Sequence, residues 1–157
     1  MKQRLNPRVI LLWRLQAGVR MLFPLLPVVI GVAVLSRESV GDMLTMFFAV
    51  GVLGLSGLKA LLWPSLVYRF YAYEVREEDL WIGRGVLFRR ETVIPLSRIQ
   101  HVDTRQGPME QLFGLARILV YTASGRVPDG GVPGLELKVA SALRDQLARV
   151  AGKDDGV

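Results

Sequence analysis

Apolar residues fall in two long unbroken runs near the start of the chain and in short alternating stretches after them. Residues 21–36 carry no charge, and neither do residues 43–58. Val19 and Arg20, whose charge reaches the interface along its own apolar stem, bring the first run close to the ~20 helical residues that cross about 30 Å of hydrocarbon. The second continues past Lys59 to Trp63, and Pro64 is expected to end it. Both runs are apolar around their full circumference, whereas the surface helix of a soluble protein is apolar on one stripe. That weighs against two core helices of a soluble domain. Trp13, Trp63 and Tyr68 stand where aromatic side chains collect at a membrane interface. Gly31, Gly51, Gly54, Ser56 and Gly57 would let two membrane helices approach closely, and Pro24 and Pro27 are expected to kink the first helix without abolishing it. The polar break over residues 37–42 has room only for a tight turn. The pattern predicts a transmembrane helical hairpin over residues 21–64.

After Pro64 no run is long enough to span a bilayer. Residues 69–75 are rich in strand formers, Glu77, Glu78 and Asp79 make a polar turn, and Leu80, Trp81 and Ile82 lead into Gly83-Arg84-Gly85, read as a hairpin turn before a strand over residues 86–94. Pro95 to Arg98 bends the chain ahead of a partly alternating strand at residues 99–105. Gln106, Gly107 and Pro108 break it, a single helical turn follows over residues 109–113, and Gly114 closes that turn. A strand at residues 115–123, a turn-rich stretch at 124–131 and a short extended segment at 132–137, interrupted by Pro133 and Gly134, precede the one amphipathic helix, residues 137–150. Its apolar stripe is read as Val139, Ala142, Leu143, Leu147 and Val150, with Lys138, Arg144, Asp145 and Arg149 outside it. Short strands closed by one helix suggest a small barrel or sandwich.

The organisation expected is therefore a basic cytoplasmic or interfacial segment (1–20), the hairpin (21–64), a globular domain (69–151) and a polar tail (152–157). Residues 8–20 resemble a basic amphipathic helix, read mainly as a charged flank that sets topology.

Composition changes this picture in one respect. Of the formal charge of +6, residues 1–68 supply +5, from seven basic residues against Glu38 and Asp42. The excess that would otherwise suggest nucleic acid thus belongs to the membrane flanks, and nucleic acid is set aside. Lys2, Arg4, Arg8, Arg14 and Arg20 precede the first run and Lys59 and Arg69 lie near the end of the second, while only Arg37 lies between them. The positive-inside rule then puts both termini in the cytoplasm. The basic N-terminus has no clean small-x-small cleavage site, so no removable signal is expected. With no cysteine, neither disulfides nor thiolate metal sites are available.

The residues from Trp81 to Pro108, with Ile94-Pro95-Leu96, Arg98-Ile99-Gln100 and Gln106-Gly107-Pro108 in that order, then Phe113-Gly114-Leu115-Ala116 and Thr122-Ala123-Ser124, resemble the YdbS-like bacterial pleckstrin-homology family. The resemblance covers residues 71–150, and the preceding hairpin matches the family's membrane-flanked layout. It implies an α+β membrane protein: a seven-stranded PH-like barrel capped by a C-terminal helix, on the cytoplasmic side of a bacterial cell membrane. Relatives often carry a basic residue before the Leu/Phe-Phe-Gly step, where this chain has Glu110 and Gln111. Any phosphate-contacting role at that position is in doubt.

PH-like folds serve several functions, so the fold does not choose among them. A membrane-anchored interaction module working beside another membrane protein of the same family is the first reading. An anionic headgroup sensor using Arg84, Arg89, Arg90, Arg98 and Arg105 is the alternative, against which stands the plainer view that these are a solvated strand face. An enzyme is disfavoured: His101 is the sole histidine, read as a half-buried strand residue, Ser97 and Ser124 lack a nucleophile-elbow context, and Gly83-x-Gly85 lacks the rest of a phosphate-binding loop. No cofactor or metal is expected. Gly83, Gly85, Gly107, Pro108 and Gly114 are read as turn residues, the glycines supplying positive φ.

Overall fold

The structure, a computed structural model, describes residues 2–35, 42–123 and 127–151. Most of the expected turn at 37–42, Ser124 and the tail at 152–157 lie outside the described residues. The elements are α1 (Arg8–Leu35), α2 (Asp42–Arg69), β1 (Ala72–Val75), β2 (Asp79–Arg84), β3 (Arg90–Pro95), a short 3-10 turn (Leu96–Arg98), β4 (Ile99–Arg105), α3 (Pro108–Leu112), β5 (Leu115–Thr122), β6 (Gly130–Glu136) and α4 (Leu137–Ala151). They divide into a helical unit, Trp13–Ser65, and a globular unit made of Met1–Leu12 and Leu66–Val157.

In the helical unit α1 runs through Pro24 and Pro27, and α2 runs through Pro64 to Arg69, five residues beyond the expected stop. A proline inside a helix removes one backbone bond and presses on the preceding turn. Arg14 supports α2 at that place: its Nε donates to the Leu61 carbonyl at 3.1 Å and its Nη2 to Ser65 Oγ at 2.9 Å. Of the glycines expected at the helix contact, Gly57 lies near Met21, but nothing stands within 4 Å of a Cβ placed at Gly31, Gly51 or Gly54. Met43, Phe47, Phe48, Leu55 and Leu58 are exposed around α2. Among the described residues one helical segment, Met46–Arg69, is long and apolar enough to cross a membrane.

The globular unit holds six strands among the described residues, in two antiparallel three-stranded sheets ordered β1-β2-β3 and β4-β5-β6. Their inward side chains make the core. Leu80 and Ile82 on β2, Ile94 on β3, Ile118 and Val120 on β5 and Val132 on β6 are all buried. The sheets meet where Gly130 has no side chain: a Cβ there would lie 3.1 Å from Ile82 Cδ1. Tyr71 Oη also crosses, donating to the Gly131 carbonyl at 2.6 Å. These are two separately hydrogen-bonded sheets in place of the seven-stranded barrel that the resemblance implies.

Part of the missing closure comes from the N-terminus. Gln3 exchanges both backbone hydrogen bonds with Tyr73 (2.8 and 3.1 Å), and the Asn6 N–H donates to the Gly134 carbonyl at 2.9 Å. Residues 3–6 therefore hydrogen-bond to both β1 and β6. Leu5, in the segment before α1, and Val9 and Leu12, on one face of its first turns, are buried in the same core. Lys2 Nζ lies 4.7 Å from the centre of the Trp81 ring, and Asn6 Oδ1 accepts the Arg8 N–H at 2.9 Å, capping α1. The segment expected as a basic membrane flank is, as far as Leu12, part of the globular unit. Gly134 is required for this packing. Its φ of +64° is left-handed, and a Cβ on it would overlap Val9 Cγ2 and come within 2.7 Å of Val9 Cβ.

α4 covers the second sheet with Ala140, Leu143 and Leu147. Val139, Ala142 and Val150 of the expected stripe are instead exposed. The phase of α4 is fixed by its junction, because it follows β6 without a linker and the Leu137 N–H bonds the Gly114 carbonyl at 3.3 Å.

Candidate functional site

The β2–β3 hairpin gathers three of the five arginines singled out in the sequence. Arg84 ends β2, Arg90 begins β3, and the two are register partners. Arg89 precedes Arg90 in the connecting loop, residues 85–89, and all three are exposed. The strand expected from residue 86 thus starts at Arg90. Val86 to Arg89 lack the apolar–polar alternation that holds a half-buried strand in register, and Gly85 turns the chain with φ +116°. A side chain on Gly85 would collide with the Phe88 carbonyl, so the turn admits only glycine. Leu87 and Phe88 consequently project at the tip with 76% and 89% of their surface exposed.

Beneath the tip lies a cavity of about 100 Å³ lined by Phe70, Trp81, Arg84, Arg89 and Arg90, among others. Trp81 forms its floor because Gly83 leaves room for the indole: a Cβ at Gly83 would lie 2.5 Å from the ring. Gly83 is therefore a packing residue within β2 rather than a turn with positive φ. Trp81 Nε1 donates to Glu91 Oε2 at 3.3 Å. Nearby, burial pushes the Tyr71 hydroxyl up to about 12, and the charge of Arg84 partly opposes the shift. No ion pair within 4 Å engages Arg84, Arg89 or Arg90 among the described residues. Three guanidinium groups without carboxylate partners are suited to phosphate-type oxyanions, which they bind with paired N–H donors.

The other two arginines lie elsewhere. Arg98 is exposed on the 3-10 turn, beyond the far end of β3, whose six residues span roughly 17 Å. Arg105 ends β4 in the second sheet, 3.6 Å from Asp103 and donating to Tyr121 Oη at 3.2 Å. The five do not form one site. His101 is exposed and stacks on Tyr121, with ring centroids 4.3 Å apart.

Arg105 borders a second cavity, of about 370 Å³, with Gln106, Glu110 and Arg117. Glu110 is 3% exposed and accepts the Gly107 N–H at 2.7 Å and the Arg117 Nε–H at 2.9 Å. Pro108 opens α3, Gly114 takes φ +64°, and Gly107 is extended at φ −79°. A glutamate three residues after the residue that precedes a helix is a capping signal readable in the sequence. Among the described residues no three His, Cys, Asp or Glu side chains are grouped to hold a metal ion.

Comparison with known proteins places this geometry. The family model described as Bacterial PH domain matches residues 21–151. The chain is 32% identical over 159 aligned residues, 98% of its length and 95% of the relative's, to the UPF0699 transmembrane protein YdbS of Bacillus subtilis (strain 168). It is 27% identical to the UPF0699 transmembrane protein YdbT of the same organism over 63 residues, which are 39% of this chain and 13% of that protein. No solved structure matches. With one match running from within α1 to the end of α4 and another nearly from end to end, the chain belongs to the bacterial PH domain family.

Proposed function

We propose that this protein is a membrane-anchored, non-enzymatic PH-like module that assembles with a second, larger membrane protein of its own family. In this reading residues 21–64 form a two-span hairpin in a bacterial cell membrane, with both termini and the globular unit in the cytoplasm. Support for anchoring comes from Met46–Arg69, whose 24 residues extend about 36 Å as a helix, against about 30 Å of hydrocarbon. The observation that carries the assembly reading is the free edge of the first sheet. β3 pairs only with β2 among the described residues, and its Val93 is 53% exposed. An unpaired strand edge is a ready template for a partner's strand. The presence of a short and a much longer relative in one organism is in keeping with such a pair. A headgroup sensor built on all five arginines has less support, because Arg98 and Arg105 stand apart from the hairpin.

The test is co-purification in mild detergent of the full chain with the long family member of the same genome, using a photo-crosslinking residue at Val93. Crosslinking to that protein, lost when Glu91→Pro removes an edge N–H that faces away from β2 while the chain still folds, is the expected result. Purification of the chain free of the long relative, without a crosslink, would refute the assembly reading.

A further inference from the structure

We propose that the cavity beside β4 and β5 binds a small carboxylic acid, whose carboxylate is held jointly by Arg105 and Arg117. The proposal depends on neither the membrane anchor nor the partner of the reading above. The cavity measures about 370 Å³, within the range of small-molecule sites, and lies wholly in the globular unit. Arg105 on β4 and Arg117 on β5 are register partners, so their side chains leave the same face of the second sheet. Like charges directly opposite one another weaken a sheet unless an anion compensates them. Within the chain that compensation is incomplete. Both oxygens of Glu110 are engaged, Oε1 by Arg117 (Nε at 2.9 Å, Nη2 at 2.8 Å) and Oε2 by the Gly107 N–H at 2.7 Å. Arg105 has Asp103 at 3.6 Å, with side chains 62% and 42% exposed, a pairing that solvent largely screens.

The charge of the lining identifies the ligand. Two arginines against one glutamate give the cavity wall a net +1. A singly charged carboxylate balances it, and its planar pair of oxygens matches the guanidinium fork. A phosphate dianion would add uncompensated charge beside Glu110. The donors are also fixed in advance. Glu110 anchors Arg117, and Arg105 Nη2 donates at 3.2 Å to the Oη of Tyr121, whose ring stacks on His101. Gln106 Nε2 donates to the Leu115 carbonyl at 2.8 Å, and the same amide carries a second N–H. Groups already held in place lose little freedom when a ligand arrives. Leu119, half-buried in the same wall, offers an apolar surface to the carbon chain of the acid.

Equilibrium dialysis of radiolabelled butyrate, a carboxylate on a short apolar chain, against the full-length protein in detergent tests the site, with empty micelles as the blank. Saturable binding at one site per chain is the expected result. Arg105→Gln is expected to weaken it by about tenfold or more, as the loss of a charge-assisted hydrogen-bond donor implies. Arg105→Lys should restore binding only in part, because an ammonium group lacks the planar fork. Since the Arg105 side chain is 62% exposed, both variants should unfold at the wild-type temperature, so that a loss of binding reports the site and not the fold. Arg98→Gln, at an exposed arginine outside the cavity, should bind butyrate as the wild type does. Inorganic phosphate should displace butyrate poorly; displacement as effective as that by unlabelled butyrate would mark a general anion site and overturn the carboxylate assignment. No saturable uptake above the micelle blank, or uptake unchanged in Arg105→Gln, would overturn the site itself.

Discussion

Gly134→Ala tests whether the N-terminal segment closes the globular unit. The new methyl group would sit on a left-handed backbone, which costs an L-residue about 1–2 kcal/mol, and would press on Val9, which is fully buried. Overpacking of this kind costs about 1–3 kcal/mol, so the substitution is expected to lower stability by about 2–5 kcal/mol. Val9→Ala removes two buried methyl groups and is expected to cost about 2 kcal/mol at ~0.8 kcal/mol per carbon plus a small cavity. The decisive quantity is the coupling. With the Val9 methyls gone, the overlap is relieved but the backbone strain remains, so the double variant should be more stable than the two single costs imply, by about 1 kcal/mol. Thermal unfolding of the full-length protein in detergent, followed by near-ultraviolet circular dichroism, measures all four species. Costs that add to within about 0.5 kcal/mol would mean that Val9 does not pack against Gly134.

A fragment beginning at Arg69 lacks Leu5, Val9 and Leu12 and the strand bonds of Gln3; it should show no cooperative melt, whereas the same fragment with residues 2–12 joined to it by a flexible linker should melt cooperatively. Leu143→Ala, at a buried position of α4, should cost about 2–5 kcal/mol by urea denaturation of the full chain, while Val139→Ala, on the exposed face, should change stability little. Tyr71, with its hydroxyl raised from 10.0 to about 12, stays protonated in the folded state after the unfolded chain has ionised. Its contribution is therefore constant below pH 10 and falls as the pH rises from there towards 12, by at most about 1.4 kcal/mol per pH unit. Melting curves of Tyr71→Phe across that range should lose this part of the slope, and should start lower at neutral pH because the Gly131 carbonyl loses its donor.

The parts legible from sequence were those governed by local pattern. Strong periodicity or continuous apolarity placed α1, α2, β4, β5 and α4, and Gly114 closed α3 where a left-handed residue was expected. What failed depends on contacts distant along the chain. Val9 and Leu12 share one face, but the basic residues around them, Arg8, Arg14 and Arg20, point to a charged membrane flank that sets topology. Nothing local reveals that Gly134, well over a hundred residues later, is shaped to receive Val9. The stripe of α4 was misplaced for a similar reason, since its phase is set by the β6 junction and not by its own composition. For the site, arginine identity was readable and grouping was not: pairing Arg84 with Arg90 and leaving Arg98 at the opposite end of β3 is a matter of register. Leu87 and Phe88 fall in the strand expected over residues 86–94 because β propensity does not distinguish a strand residue from one at a tip.

The account depends most on a membrane anchor that leaves the globular unit in the cytoplasm. Single cysteines at Ser39, in the sequence between the two helices, and at Leu112, 81% exposed on α3, test it directly in a chain with no other cysteine. A membrane-impermeant maleimide added to intact cells should label Ser39→Cys and leave Leu112→Cys untouched until the membrane is permeabilised. Labelling of Leu112→Cys in intact cells, or of neither position before lysis, would contradict the cytoplasmic PH-like module held by a two-span hairpin.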